Sequence, residues 1–274
     1  MNNCFFCGAT ENSLTEEHVW PKWVSKLLKG KYGSDHFVHV RSTGDSTTGL
    51  WKSPDLKVTT DEICKHCNNE WLSVLENDQV KPIATPLSLG HGGDIIKPSD
   101  QWILATWAYK MALLLEIAMP KQEQRITSTA DEREQFCEMK VANEHVRVFI
   151  AKYEYGQHPT HAHQKLHTLT RHDDGVKFDL KIATMTAGCL AMQVIAVRSA
   201  DTGTLLYATS ELEVELLGEA KTKIAQVWPP TNKAVRWPDL QPMSQQDIED
   251  WTDMWEKAQG LHRSDSNNGF APSP

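Results

Sequence analysis

Two cysteine pairs constrain this chain more than any other feature. Cys4 and Cys7 form C-x2-C at the start, and Cys64 and Cys67 form a second C-x2-C much later. Together they offer four thiolates, the donor set of a tetrahedral zinc ion, each knuckle presenting two sulfurs from one tight turn. Such a site staples a unit too small to hold a core by itself. Gly8 follows the first knuckle, where a left-handed turn would let backbone amides face the sulfurs. Cys137 and Cys189 stand alone inside apolar patterns and read as small buried hydrophobes. The opening MNNCFFCGAT shows no secretory signal, so the six cysteines point to thiols and metal before disulfides.

The periodicity around the knuckles gives the local elements. Ser13 to Val19 reads as a short strand, and Lys22 to Leu28 as a short helix closed by Gly30. His36 to Arg41 is a strand candidate within a Gly, Ser, Thr and Asp-rich stretch. The second knuckle opens a helix, in which Trp71, Leu72 and Leu75 share one face. A knuckle, a strand pair and a second knuckle at a helix start make a treble clef.

Pro82, Pro86 and the Gly-rich LGHGGD mark a boundary, read as a linker over 81–98. Ser99 is then expected to cap a long core helix through Met119, ended by Pro120, and Thr129 with Glu132 a second helix to about Lys140. From His145 the period becomes that of strands: HVRVFIAKY, QKLHTLTR, VKFDLKIATM and CLAMQVIAVRS, with turn signals HDDG and DTG between them. Ser210 with Glu213 opens a short helix, IAQVWPP reads as an edge strand, and Ser244 caps a last helix to about Ala258. The predicted fold class is α+β: a treble-clef unit over 1–80, then an α+β domain with an antiparallel sheet over 99–258. Residues 259–274 have the composition of a tail without fixed structure.

Net charge is −8, so no whole-protein basic field draws the chain to nucleic acid or acidic membranes. Any phosphate contact must be local, and Lys22, Lys26, Lys29 and Lys31 form the compact basic run. The run Trp102 to Met119 carries Lys110 and Glu116 and reads as a core helix, not a membrane span. A membrane role is therefore not expected, and the localisation expected is cytoplasmic. There is no Gly-rich phosphate loop, Gly-x-Ser-x-Gly elbow or kinase signature. His158, His161, His163, His167 and His172 lack a carboxylate or cysteine partner at ligand spacing and read as solvated loop histidines. Trp228, Trp237, Trp251 and Trp255 read as packing anchors.

One octapeptide, EEHVWPKW at residues 16–23, sits between the knuckles. An acid directly before His, then x-x-Pro, between C-x2-C and C-x2-C-Asn, resembles the HNH endonuclease family. The matching residues are Cys4, Cys7, Glu17, His18, Pro21, Cys64, Cys67 and Asn68, within about the first 80 residues. The resemblance implies a ββα-metal nuclease hydrolysing phosphodiester bonds, with DNA the favoured substrate. It assigns His18 as the general base that activates water, and Glu17 and Asn68 as ligands of a catalytic Mg²⁺ or Mn²⁺. Asp61 lies nearest the family's middle Asn, with Asn69 as a further supporting residue, and Lys22 and Lys26 would contact phosphate. The family more often has Asp at Glu17 and often His at Asn68. Trp71 falls where a basic residue is common.

In this reading Glu16 is ordinary surface, and Trp20 and Trp23 pack the short helix onto the zinc unit. Two readings accompany the nuclease. In one, the unit is a catalytically decayed, zinc-stabilised module that binds nucleic acid or protein. In the other, the nuclease is an anti-phage defence effector whose larger domain senses a trigger, holds a protein partner or forms a homo-oligomer.

Overall fold

The computed structural model describes residues 3–10, 13–32, 37–43, 46–91, 95–118, 121–124, 126–154, 160, 162–170, 177–198, 222–231, 233–257 and 262–263. The helix expected at Ser210 to Glu213, the HDDG and DTG turns, His158, His161, His172 and the tail after 263 lie outside these residues, as do the side chains of His167 and Trp255.

The N-terminal unit is built on a strand pair. β1 (Leu14–His18) runs antiparallel to β4 (Thr59–Cys64), with Glu17 opposite Thr60 and His18 opposite Thr59. The register shifts between Thr15 and Glu17, so Glu16 occupies a bulge. Between these strands come helix α1 (Lys22–Tyr32) and the hairpin β2 (Phe37–Thr43) and β3 (Ser46–Ser53). The helix runs past Gly30, which lies inside it and not at its end. Helical residues then run without a break from 65 to 88, with wide turns over Asn68–Leu72 and Leu75–Val80. Pro82 falls in the first turn of the last section, Lys81–Ser88, and Pro86 is tolerated inside it. The proline signal thus marks helix, not linker, over 81–88: Ala84 and Leu87 on that section are buried in the core.

The central helix, Pro98–Ile117, is buried almost all round, which is why its apolar residues are spread over every face and its Lys110 and Glu116 are buried with them. Its N-cap is Lys97, while the Ser99 hydroxyl bonds to the neighbouring Asp100. The helix Ala130–Met139 has the expected capping box, Thr129 with Glu132, and ends on Lys140 in the left-handed conformation. A short antiparallel pair joins β5 (Ile95–Ile96) to β11 (Val235–Arg236). An antiparallel sheet is formed by β6 (Val146–Lys152), β7 (Ala162–Thr170), β8 (Lys177–Ala187), β9 (Leu190–Arg198), β10 (Ile224–Trp228) and β12 (His262–Arg263), in the order β10-β6-β9-β8-β7-β12. β10 pairs on one side with β6, an edge position that suits the prolines after it.

Both faces of this sheet are covered, so its inner strands are buried and mostly apolar on both sides, with Lys181 and Gln193 among the buried polar exceptions. Val148, Ile150, Met192 and Val194 face the central helix; Phe149, Ile182, Ile195 and Val197 join Ile248 and Trp251 of the helix Gln245–Lys257. Ser244 caps that helix, accepting from the Asp247 N–H at 3.2 Å.

The two units expected from the sequence share one core. A single cluster of buried residues runs from Phe6 through Trp23, Leu72 and Trp107 to Trp237. Trp20 donates its indole N–H to the Thr186 carbonyl at 3.0 Å, and Trp23 packs against Trp107 at 6.0 Å. These tryptophans bind α1 to the sheet and the central helix. Gly188 closes the β8–β9 turn at φ 62°, where a Cβ would meet the Ser88 carbonyl at 2.3 Å. No helix among the described residues is long and apolar enough to cross a membrane.

Candidate metal and acid–histidine site

The four knuckle cysteines converge as their spacing requires. The sulfurs of Cys4, Cys7, Cys64 and Cys67 all lie within 4.8 Å of one another, close enough to hold one metal ion. Cys7 and Cys64 stand 3.8 Å apart, and a tetrahedron with bonds of about 2.3 Å has edges of about 3.8 Å. The first knuckle turns at Gly8, φ 67°, whose N–H reaches the Cys4 carbonyl at 3.0 Å. The Cys64 amide donates to the Cys4 sulfur and the Cys67 amide to the Cys64 sulfur, both at 3.4 Å. Contact with Cys67 and with backbone amides of Cys7, Cys64 and Phe6 outweighs burial and pulls Cys4 down to about 4, into the thiolate form a metal takes.

Cys137 is not the isolated buried hydrophobe its pattern implies. It lies on the helix Ala130–Met139, half-buried, with its sulfur 3.8 Å from that of Cys67. The sequence held no spacing signal for this neighbour, because the contact depends on how two helices cross. Among the described residues, the four knuckle cysteines form the one metal-holding cluster, and His163 on β7 belongs to none.

His18 closes β1 and is mostly buried, its side chain 13% exposed. Burial, then the positive charge of Lys22, lowers its pKa, while Glu16 and Glu17 pull the other way. The imidazole is therefore neutral near pH 7, with a lone pair able to take a proton. Glu16, read as plain surface, is the acid nearest the ring, with its carboxylate 4.0 Å from Nε2. The bulge is what brings it there. Asn68 donates its side-chain amide to the Glu16 carbonyl at 2.9 Å and the Thr15 hydroxyl at 3.0 Å, tying the start of the helical run to β1. Asp61 and Asn69 are exposed, as are Lys22 and Lys26 on α1. Lys29 is paired with Asp55 at 3.0 Å, and Lys31 bonds the Leu89 carbonyl.

Glu17 takes a different place from its neighbours. It is buried, and its carboxylate forms an ion pair at 2.6 Å with Lys110 of the central helix. The same ammonium contacts Glu76 on the helical run and donates to the His18 carbonyl at 2.9 Å. A carboxylate turned inward onto an ammonium does not offer itself to a divalent ion beside a nucleic-acid phosphate. The Glu17 and Asn68 pair therefore does not fit a catalytic Mg²⁺ or Mn²⁺ in this arrangement. The sequence did hold a signal for Lys110: a lysine in an apolar core helix demands an acidic partner. Nothing in the linear pattern says which.

No protein-family model, curated protein or solved structure matches the chain.

Proposed function

We propose that the N-terminal unit is a zinc-stapled, HNH-like module that hydrolyses phosphodiester bonds in nucleic acid, DNA being the favoured substrate, with His18 as the general base. The observation that carries this reading is His18 itself: a neutral imidazole at the rim of a strand pair, with a carboxylate at 4.0 Å and a cationic lysine nearby. Such a ring can accept a proton from water while Lys22 and Lys26, exposed on α1, contact the phosphate backbone. Asn68 holds the bulged strand to the helical run, which fixes the Glu16–Glu17 peptide just before His18. The four cysteines would hold zinc in a structural role, their sulfurs supplying a full set of four ligands and leaving no position for water.

Cleavage of plasmid DNA and of RNA, each with Mg²⁺ or Mn²⁺ and for wild type beside His18→Ala, tests the reading. The substitution is expected to lower cleavage by about 10²-fold or more. Activity that survives it would overturn the assignment. Metal analysis should find one zinc per chain, lost together with solubility in Cys64→Ser; a metal-free folded protein would remove the staple.

A second reading is favoured by a specific observation, the Lys110 ammonium on Glu17. A module without an open carboxylate would bind nucleic acid or protein and not cut it. Binding to DNA that weakens in Lys22→Ala/Lys26→Ala, with no cleavage under any metal, would support it. A defence role for the larger part, as sensor or oligomerisation surface, stays with the nuclease reading and falls if cleavage is absent.

A further inference from the structure

Three oxygens surround the Lys110 Nζ: a Glu17 carboxylate oxygen at 2.6 Å, a Glu76 carboxylate oxygen in direct contact, and the His18 carbonyl at 2.9 Å. They come from two elements: β1, whose adjacent residues Glu17 and His18 supply two of them, and the helical run after the second knuckle, which supplies Glu76. Two carboxylates and a carbonyl converging on one point are the donor set of a hard cation. An ammonium also fits that seat: it donates to Glu76 and to the His18 carbonyl, and holds Glu17 as an ion pair. Here the cation is covalently part of the chain. Lys110 has no exposed surface, and its stem leaves a helix whose neighbours Tyr109 and Met111 are equally buried. An incoming ion would have to expel a charged side chain that has no path to water.

We propose that Lys110 is the resident cation of the acid–histidine site, filling the seat formed by Glu17, Glu76 and the His18 carbonyl, so that no divalent ion is held by Glu17. Lys110 is then a positioning residue. It neutralises the carboxylate beside His18 and grips the His18 peptide, fixing the imidazole against the central helix. The statement about chemistry rests on the phosphodiesterase reading; the occupancy of the seat does not. It also accounts for Glu in place of the commoner Asp, since the longer side chain reaches inward to the central helix.

The test is a titration of the zinc-loaded full chain with Mn²⁺, followed by the electron paramagnetic resonance of the free ion. Wild type and Glu17→Gln are expected to give superimposable curves. A Mn²⁺ bound by wild type and lost in Glu17→Gln overturns the proposal. In Lys110→Ala the vacated oxygens become a metal seat, so Mn²⁺ should bind at least about tenfold tighter than to wild type and raise the melting temperature. That gain should vanish in Lys110→Ala/Glu17→Gln. A folded Lys110→Ala without the gain also overturns the proposal, and should Lys110→Ala fail to fold, the wild type and Glu17→Gln comparison decides alone. Absence of cleavage in the His18 assay sinks the nuclease reading and leaves this titration unchanged, whereas Glu17-dependent Mn²⁺ binding does the reverse.

Discussion

The central helix carries two buried ion clusters, and they are built on opposite principles. Near its middle, Lys110 serves two carboxylates, Glu17 and Glu76. Near its end, Glu116 is oversupplied with donors: Lys181 at 2.5 Å, the Ser128 hydroxyl at 2.5 Å, the Thr127 hydroxyl at 2.7 Å and the Ser128 amide at 3.2 Å. The charges titrate accordingly. Burial pushes Glu76 up to about 7, with Lys110 pulling it back and Glu17 adding repulsion. Burial also opposes Glu116, yet Lys181 and the two hydroxyls outweigh it and hold its carboxyl below the ordinary range. Lys110 stays above the usual lysine range because two carboxylates overcome its desolvation, while Lys181, with one, falls to about 8. A cluster whose members are all satisfied is a rivet between helix and sheet. One with a surplus of buried acid, set against a histidine at a strand end, is where functional chemistry is expected.

The largest effect should separate the two clusters directly. Lys110→Met leaves two buried carboxylates facing each other and should cost about 3–5 kcal/mol of unfolding free energy at pH 7. Lys181→Met leaves Glu116 with three donors and should cost less, about 2 kcal/mol. Urea unfolding of both variants checks this, and equal or inverted costs would break the contrast. The clusters also impose opposite pH slopes. Because the folded pKa of Glu76 lies above its unfolded value of 4.5, its contribution is complete below 4.5 and is lost as pH rises through about 7. Glu116 is depressed, so its contribution is present above 4.5 and is lost as pH falls below that value. Between pH 5 and pH 8, Glu76→Gln should therefore gain on wild type by on the order of 1 kcal/mol, and Glu116→Gln should show no such gain. Chemical denaturation at both pH values would settle it. The smallest expected change is Ser128→Ala, which removes one hydroxyl donor from Glu116 and should cost about 1 kcal/mol by thermal melting.

Some parts of the molecule were legible because their signals are local. The two C-x2-C knuckles, the Thr129 and Glu132 capping box and the strand periods of β6 to β9 are set by residues a few positions apart, and each appears where it was expected. Pro82 and Pro86 misled because a proline in a helix depends on what its neighbours bury: Ala84 and Leu87 are core residues, and their burial carries the helix past Pro86. Trp20 and Trp23 were legible as packing residues but not as the link to the sheet and central helix, since nothing in EEHVWPKW names Thr186 or Trp107.

The site divides in the same way. The sequence by itself determined which residues were present to do chemistry: four thiols in two knuckles, an acid beside a histidine, an asparagine after the second pair. Tertiary structure alone decided which way each of them faces. Glu17 turns onto Lys110, a lysine whose need for an acid the sequence shows without naming the partner, and Glu16 takes the place beside His18 because of a one-residue bulge. Cys137 comes within 3.8 Å of the Cys67 sulfur from a helix far along the chain. The physical reason is common to all three. Residue type and spacing fix what a short segment can bond to within a turn or two, while partners of buried charges and thiols are chosen by the packing of elements distant in sequence.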